Sequence, residues 1–145
     1  MKRIVSLLAL TCTLGIAMGL LLEGHVLNAQ QAPMARTEYL KKDMAGMDGK
    51  EVIVYLAEIA PGASSGKHYH AGHETAYVLG GSGSFEMEGM AAIALKPGDT
   101  AYVAPKHVHE AKNSSTTDPL KILVFAVHEK GQPLAIRVTE PYFWK

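Results

Sequence analysis

Turn-forming residues recur roughly every eight to twelve positions along the middle of this chain, and their spacing constrains the fold more than any other feature. They stand at Pro61-Gly62, Ala71-Gly72, Gly80-Gly81, Gly89, Pro97-Gly98 and Pro105. Short apolar or alternating segments beside these turns predict strands at residues 51–59, 75–79, 84–88, 92–95, 100–103 and 120–127. No segment from residue 33 onward keeps a 3.6-residue apolar period, so no helix is expected there. The residues therefore predict an all-β fold, a small sandwich or barrel of antiparallel strands.

Three histidines and a glutamate lie within one segment of seven residues: His68, His70, His73 and Glu74. On an extended strand, His68 and His70 face the same way and lie about 6–7 Å apart. A bend at Ala71-Gly72 would bring Glu74 back toward the same point. Two imidazoles and one carboxylate suit Mn, Fe, Co, Ni, Cu or Zn. This segment therefore predicts a metal site.

A second segment that carries histidines spans residues 98–113. Gly98-Asp99 predicts a turn, a short apolar strand follows, and Pro105 marks a loop ahead of His107 and His109. We expect this segment to supply a further ligand to the metal.

The two segments resemble the paired sequence motifs of the cupins, and the resemblance covers roughly residues 50–130. The first motif, G-x5-H-x-H-x3-E-x6-G, is met at every position, by Gly62, His68, His70, Glu74 and Gly81. The second, G-x5-P-x-G-x2-H-x3-N, is met at Gly98, His109 and Asn113. It departs at two positions: the proline falls one residue late, at Pro105, and counting on from that proline we expect His107 to replace the loop glycine.

The resemblance implies a double-stranded β-helix, or jelly-roll barrel, that holds one divalent transition metal (Fe, Mn, Ni, Zn or Cu). The implied ligands are His68, His70, Glu74 and His109. Such a ligand set leaves coordination positions open, as in catalytic rather than structural metal sites.

His107 and His73 are histidines that the motifs do not use as ligands. Strand alternation would aim His107 to the same side as His109, so His107 is our candidate catalytic residue, a proton carrier or substrate contact at the mouth of the site. His73 cannot share the face of His70 on a continuous strand. We expect it to support the site from the bend or to be exposed.

The sequence divides into three parts. Residues 1–32 read as a signal peptide or an N-terminal membrane anchor, because Lys2-Arg3 precedes nineteen residues without a charge. Residues 33–49 are a polar N-terminal arm, lying on the barrel or on a neighbouring subunit, or else a loosely ordered linker. Residues 50–145 form the metal-binding barrel. We therefore expect an exported protein that is periplasmic, secreted or anchored by its N-terminal segment. It contains no cysteine beyond Cys12, which excludes disulfides and thiolate metal sites after that point.

The net charge and the resemblance to cupins limit the partners and functions that we expect. The formal net charge is +0 and no basic run is present, so nucleic acid is not an expected partner. The resemblance implies a small-molecule substrate or ligand and a homodimer that pairs through N-terminal strands. The favoured function is a metal-dependent, dioxygenase-like oxidoreductase acting on a small oxygenated substrate. The alternatives are a metal-dependent isomerase, lyase or decarboxylase, and a non-catalytic metal- or ligand-binding protein.

Overall fold

The computed structural model describes residues 33–139, which form ten β-strands and no helix. The strands are β1 (Met34–Asp43), β2 (Lys50–Ile59), β3 (His68–Tyr69), β4 (His73–Gly80), β5 (Gly83–Met87), β6 (Ile93–Leu95), β7 (Thr100–Val103), β8 (His109–Asn113), β9 (Leu120–Glu129) and β10 (Ile136–Arg137). The predicted all-β fold is confirmed. No helix within this range is long and apolar enough to cross a membrane. The predicted signal peptide or anchor lies outside the described residues.

The strands form two five-stranded sheets in which every neighbouring pair is antiparallel. The first sheet has the order β1-β2-β9-β4-β7 and the second β10-β3-β8-β5-β6. Apolar side chains of both sheets meet in one core, including Ile53 and Val124 of the first sheet and Phe85 and Ala111 of the second. The site described below lies among these inward-facing residues.

Strands β2 and β9 form the centre of the first sheet, and both bury every second residue. Their register pairs Ile59 with Leu120, which are 1% and 0% exposed. The sequence shows a nearly continuous apolar run in each segment, and the strand geometry points alternate residues of that run into the core.

Replacing Leu120 with alanine is expected to lower the free energy of unfolding by about 2–5 kcal/mol, because it removes buried methyl groups and leaves a cavity. Leu79 is a matched control, since its side chain is 50% exposed, and Leu79→Ala should change stability by no more than about 0.5 kcal/mol. Urea denaturation of the two variants measures the difference. Equal losses would contradict the placement of Leu120 in the core.

Strand β1 is an element that the sequence did not predict as a strand. Residues 34–43 pair with β2 from Met34↔Ile59 to Asp43↔Glu51, with a register shift between Glu38 and Leu40. Nine of its ten residues are exposed, so the apolar alternation by which a buried strand is recognised is missing. Residues of the predicted N-terminal arm thus form an edge strand of the first sheet.

Candidate metal centre

Three strands and the bend after β3 bring the four predicted ligands together. His68 lies on β3, opposite His109 of β8 in the strand register. His70 follows β3 directly and Glu74 lies on β4. None of the four is more than 6% exposed. One ring nitrogen from each of the three histidines lies within 4.8 Å of the others, so these residues could hold a metal ion.

A buried glycine permits the bend between His70 and Glu74. The chain bends at residues 71 and 72, as the sequence predicts. A Cβ atom on Gly72 would lie 2.1 Å from the carbonyl oxygen of Val127, which no side chain can tolerate. The missing side chain therefore lets the bend pack against β9, which places Glu74 beside His70.

Backbone carbonyls hold all three histidines in the same way. Nδ1 of His68 lies 2.7 Å from the carbonyl oxygen of Gly66, and Nδ1 of His109 lies 2.9 Å from that of His107. Nδ1 of His70 contacts the carbonyl oxygen of Leu134. Since a carbonyl only accepts hydrogen bonds, each Nδ1 carries the proton and each Nε2 keeps its lone pair. Histidines that bind metals in proteins are oriented in this manner.

The contact between His70 and Glu74 bears on whether the site can hold a metal. Nε2 of His70 lies 2.9 Å from Oε2 of Glu74, yet the geometry is not that of a hydrogen bond and this buried nitrogen has no partner. Because Nδ1 of His70 donates its proton to the carbonyl oxygen of Leu134, Nε2 carries a lone pair. This lone pair and Oε2 of Glu74 face each other and repel. A cation bound to both atoms would remove this repulsion, so the residues fit a divalent metal.

Burial lowers the pKa of two of the three histidines. Burial, and after it the neighbouring His109, lower the pKa of His68 to about 4. Burial also lowers the pKa of His109. Both side chains are therefore unprotonated near neutral pH, so binding a metal would not require them to release a proton.

Tyr55 supports Glu74 and was not singled out in the sequence. Its hydroxyl donates to Oε1 of Glu74 over 2.9 Å. Burial and the negative charge of Glu74 raise the pKa of Tyr55 far above its ordinary value, so the hydroxyl remains a donor. The sequence did contain a signal, because Tyr55 carries the one hydroxyl among the inward-facing positions of β2.

Asn113, the last residue of the second motif, has a structural role. Its side-chain amide donates to the carbonyl oxygens of Ile59 over 2.9 Å and Asp118 over 2.8 Å. These bonds tie β8 to the end of β2 and to the loop before β9.

His107 lies on the loop before β8 rather than on the strand, so alternation does not aim it at the metal centre. Its Nε2 donates to the carbonyl oxygen of Glu88 over 2.9 Å, and its side chain does not line the cavity at the ligands. The left-handed backbone position in this loop falls on Lys106, with φ of 62°. Counted back from His109, the loop glycine of the usual motif also falls at position 106, so Lys106 rather than His107 replaces that glycine. A catalytic role for His107 stays a prediction.

His73 is exposed on the outer face of the first sheet, away from His70. Its Nδ1 lies 2.7 Å from the hydroxyl of Tyr102, and the two rings are stacked. Of the two placements that we expected for His73, the exposed one is found.

A cavity of about 50 Å³ opens beside the ligands. Most of its lining is apolar, from both sheets, and His68, Glu74, His109, Tyr55 and Arg36 are among its polar members. A metal held by the four ligands would thus face a small space with mostly apolar walls.

Known proteins resemble this chain in sequence and in fold. Residues 55–126 match the model of the Cupin domain family. The fold is similar to that of the DMSP lyase DddQ from Ruegeria pomeroyi, with a TM-score of 0.60 and 21% identity over 79% of this chain. This chain spans 57% of that lyase's length.

Two further solved structures have similar folds. A double-stranded β-helix protein from Klebsiella pneumoniae has a TM-score of 0.56 and 25% identity, over 76% of this chain and 89% of its own. The polyketide cyclase RemF from Streptomyces resistomycificus has a TM-score of 0.58 and 18% identity, over 76% and 74%. A search of curated proteins found no match. The family match, the two antiparallel sheets and these fold neighbours together show that the chain carries a cupin-type domain with the double-stranded β-helix fold.

Proposed function

We propose that this protein is a metal-dependent oxidoreductase of the dioxygenase type that acts on a small oxygenated substrate. One divalent transition metal would be held by His68, His70, Glu74 and His109. The proposal also includes export beyond the cytoplasmic membrane, for which the support is the sequence of residues 1–32. The main support for the metal site is that Nδ1 of each of the three buried histidines is bound to a backbone carbonyl oxygen.

The donor set supports a reactive metal rather than a structural one. Three imidazoles and one carboxylate leave coordination positions open, and a metal bound there would supply Lewis-acid and redox chemistry to an oxygen ligand. The residues of the chain hold and orient the site. Tyr55 fixes one carboxylate oxygen of Glu74, and the apolar walls of the cavity limit access of water.

Elemental analysis of the full chain, purified without chelators or a histidine tag, is the first test. We expect close to one Fe, Mn or Cu per chain. Small oxygenated compounds are then screened for turnover in air and under argon, with His68→Ala as the inactive reference. Turnover that needs dioxygen and is absent in His68→Ala supports the proposal.

The same experiment separates the alternatives. Turnover that is equal in air and argon would overturn the oxidoreductase proposal in favour of an isomerase, lyase or decarboxylase. Tight metal binding without turnover would indicate a binding protein. The predicted homodimer is a separate expectation, which sedimentation of the purified chain tests.

A further inference from the structure

Arg36 lies on the inner side of β1, beside the candidate metal centre. The strand register sets it opposite Ala57, a buried residue, and directly opposed residues of an antiparallel pair share a face of the sheet. Its guanidinium carbon lies 5.9 Å from the centre of the Tyr55 ring. Arg36 lines the same cavity as His68 and Glu74. Arg36 is itself exposed, so a molecule from solvent can reach it.

Among the residues that the structure describes, no carboxylate pairs with the guanidinium of Arg36. In contrast, Lys41, further along β1, pairs with Glu51 over 3.2 Å. The guanidinium also faces the site, since Arg36 lines the cavity together with His68 and Glu74. The cavity is therefore positive on the side of β1.

A bound divalent metal would make this excess of positive charge larger. The metal and Arg36 would outweigh the negative charge of Glu74, the carboxylate that lines this cavity. Like charges repel more strongly beside apolar walls than in bulk water. An anionic ligand would balance the site. The guanidinium fork of arginine matches a carboxylate in shape and can bind both of its oxygens.

The size of the cavity limits the ligand. A volume of about 50 Å³ holds roughly four waters, which is room for a molecule of only a few non-hydrogen atoms. We propose that the substrate of this site is a small carboxylate and that Arg36 is the specificity-determining residue that binds its carboxylate group. This inference rests on the proposed function for its metal, but the binding of carboxylate by Arg36 can be measured without turnover.

Calorimetric titration of the full chain, loaded with Zn²⁺, tests the inference with three probes: acetate, pyruvate and the neutral analogue acetamide. We expect the wild type to bind the two carboxylates in preference to acetamide. Arg36→Gln should weaken carboxylate binding about tenfold or more, the size of a charged hydrogen bond, and leave acetamide unaffected. Arg36→Lys should recover part of the affinity, since it keeps the charge and loses the fork.

Lys42→Gln is the matched control. Lys42 lies on the same strand opposite Val52, on the outer face, and its replacement removes the same charge. Carboxylate binding that is unchanged in Arg36→Gln, equally reduced in Lys42→Gln, or absent in the wild type would overturn the inference.

Metal content is measured on every variant, and the titrations are repeated on metal-free protein. Failure of the wild type to take up metal would count against the proposed function. Carboxylate binding that still depends on Arg36 in the metal-free protein would then sustain the carboxylate site by itself, and binding that does not depend on Arg36 would overturn it.

Discussion

Replacing His68 with alanine is expected to lower the affinity for a divalent metal by more than about a hundredfold. Removing a ligand should cost more than removing an outer hydrogen-bond partner of a ligand, which typically costs about 10- to 100-fold. His68 is 6% exposed and its Nδ1 is bound to the carbonyl oxygen of Gly66, so its Nε2 is oriented as a ligand. Metal content after dialysis and titration with Co²⁺ or Zn²⁺ measure the loss.

His73→Ala is the control for this variant. His73 belongs to the same histidine-rich segment, but it is exposed and its partner is Tyr102 on the outer face. We expect full metal content in His73→Ala. Thermal unfolding of both metal-free variants shows whether His68→Ala keeps its fold, and His68→Gln provides a larger side chain if it does not. Equal metal affinity in His68→Ala and the wild type would refute the assignment of His68 as a ligand.

Replacing Tyr55 with phenylalanine is expected to lower metal affinity about 10- to 100-fold while the fold is retained. The substitution removes the hydroxyl that donates to Oε1 of Glu74 over 2.9 Å and leaves the ring in place. A buried carboxylate oxygen then loses its partner, which should destabilise the metal-free protein by about 1–3 kcal/mol. Glu74 would also be free to rotate away from His70. Metal titration and urea denaturation measure the two effects.

Tyr102→Phe is the matched control for Tyr55→Phe. The hydroxyl of Tyr102 also has a side-chain partner, His73, but this pair lies on the exposed face of the first sheet. Its loss should change neither metal affinity nor stability by a measurable amount. If the two phenylalanine variants bound metal equally well, Tyr55 would have no part in positioning Glu74.

The strands that the sequence predicted well are those with a buried face. The segments predicted at 51–59 and 120–127 correspond to β2 and β9, and the one at 100–103 coincides with β7. In each, the physical signal is a local one, a short run rich in apolar residues that is bounded by turn residues. The short strands β3 and β10 carry no such signal, because two residues are too few to show a period.

The exposed edge strand β1 could not be predicted from an apolar pattern in the sequence. Strand β1 is held by its pairing with β2, and nine of its ten residues are exposed. Backbone hydrogen bonds form with any sequence that lacks proline. An edge strand can therefore form without any side-chain pattern that would identify it in the sequence. Arg36, which this strand carries to the cavity, could for the same reason not be recognised from the sequence.

The regular spacing of turn residues was enough to predict a small β-barrel, and the two histidine segments, through their resemblance to the cupin motifs, were enough to predict a metal site. Both signals are patterns within short stretches of the chain. Only the tertiary structure showed that Tyr55 supports Glu74, that His107 turns away toward Glu88, and that Arg36 faces the cavity. These placements depend on which strands become neighbours and in what register. Register is decided by packing between residues far apart in the sequence, which no local pattern records.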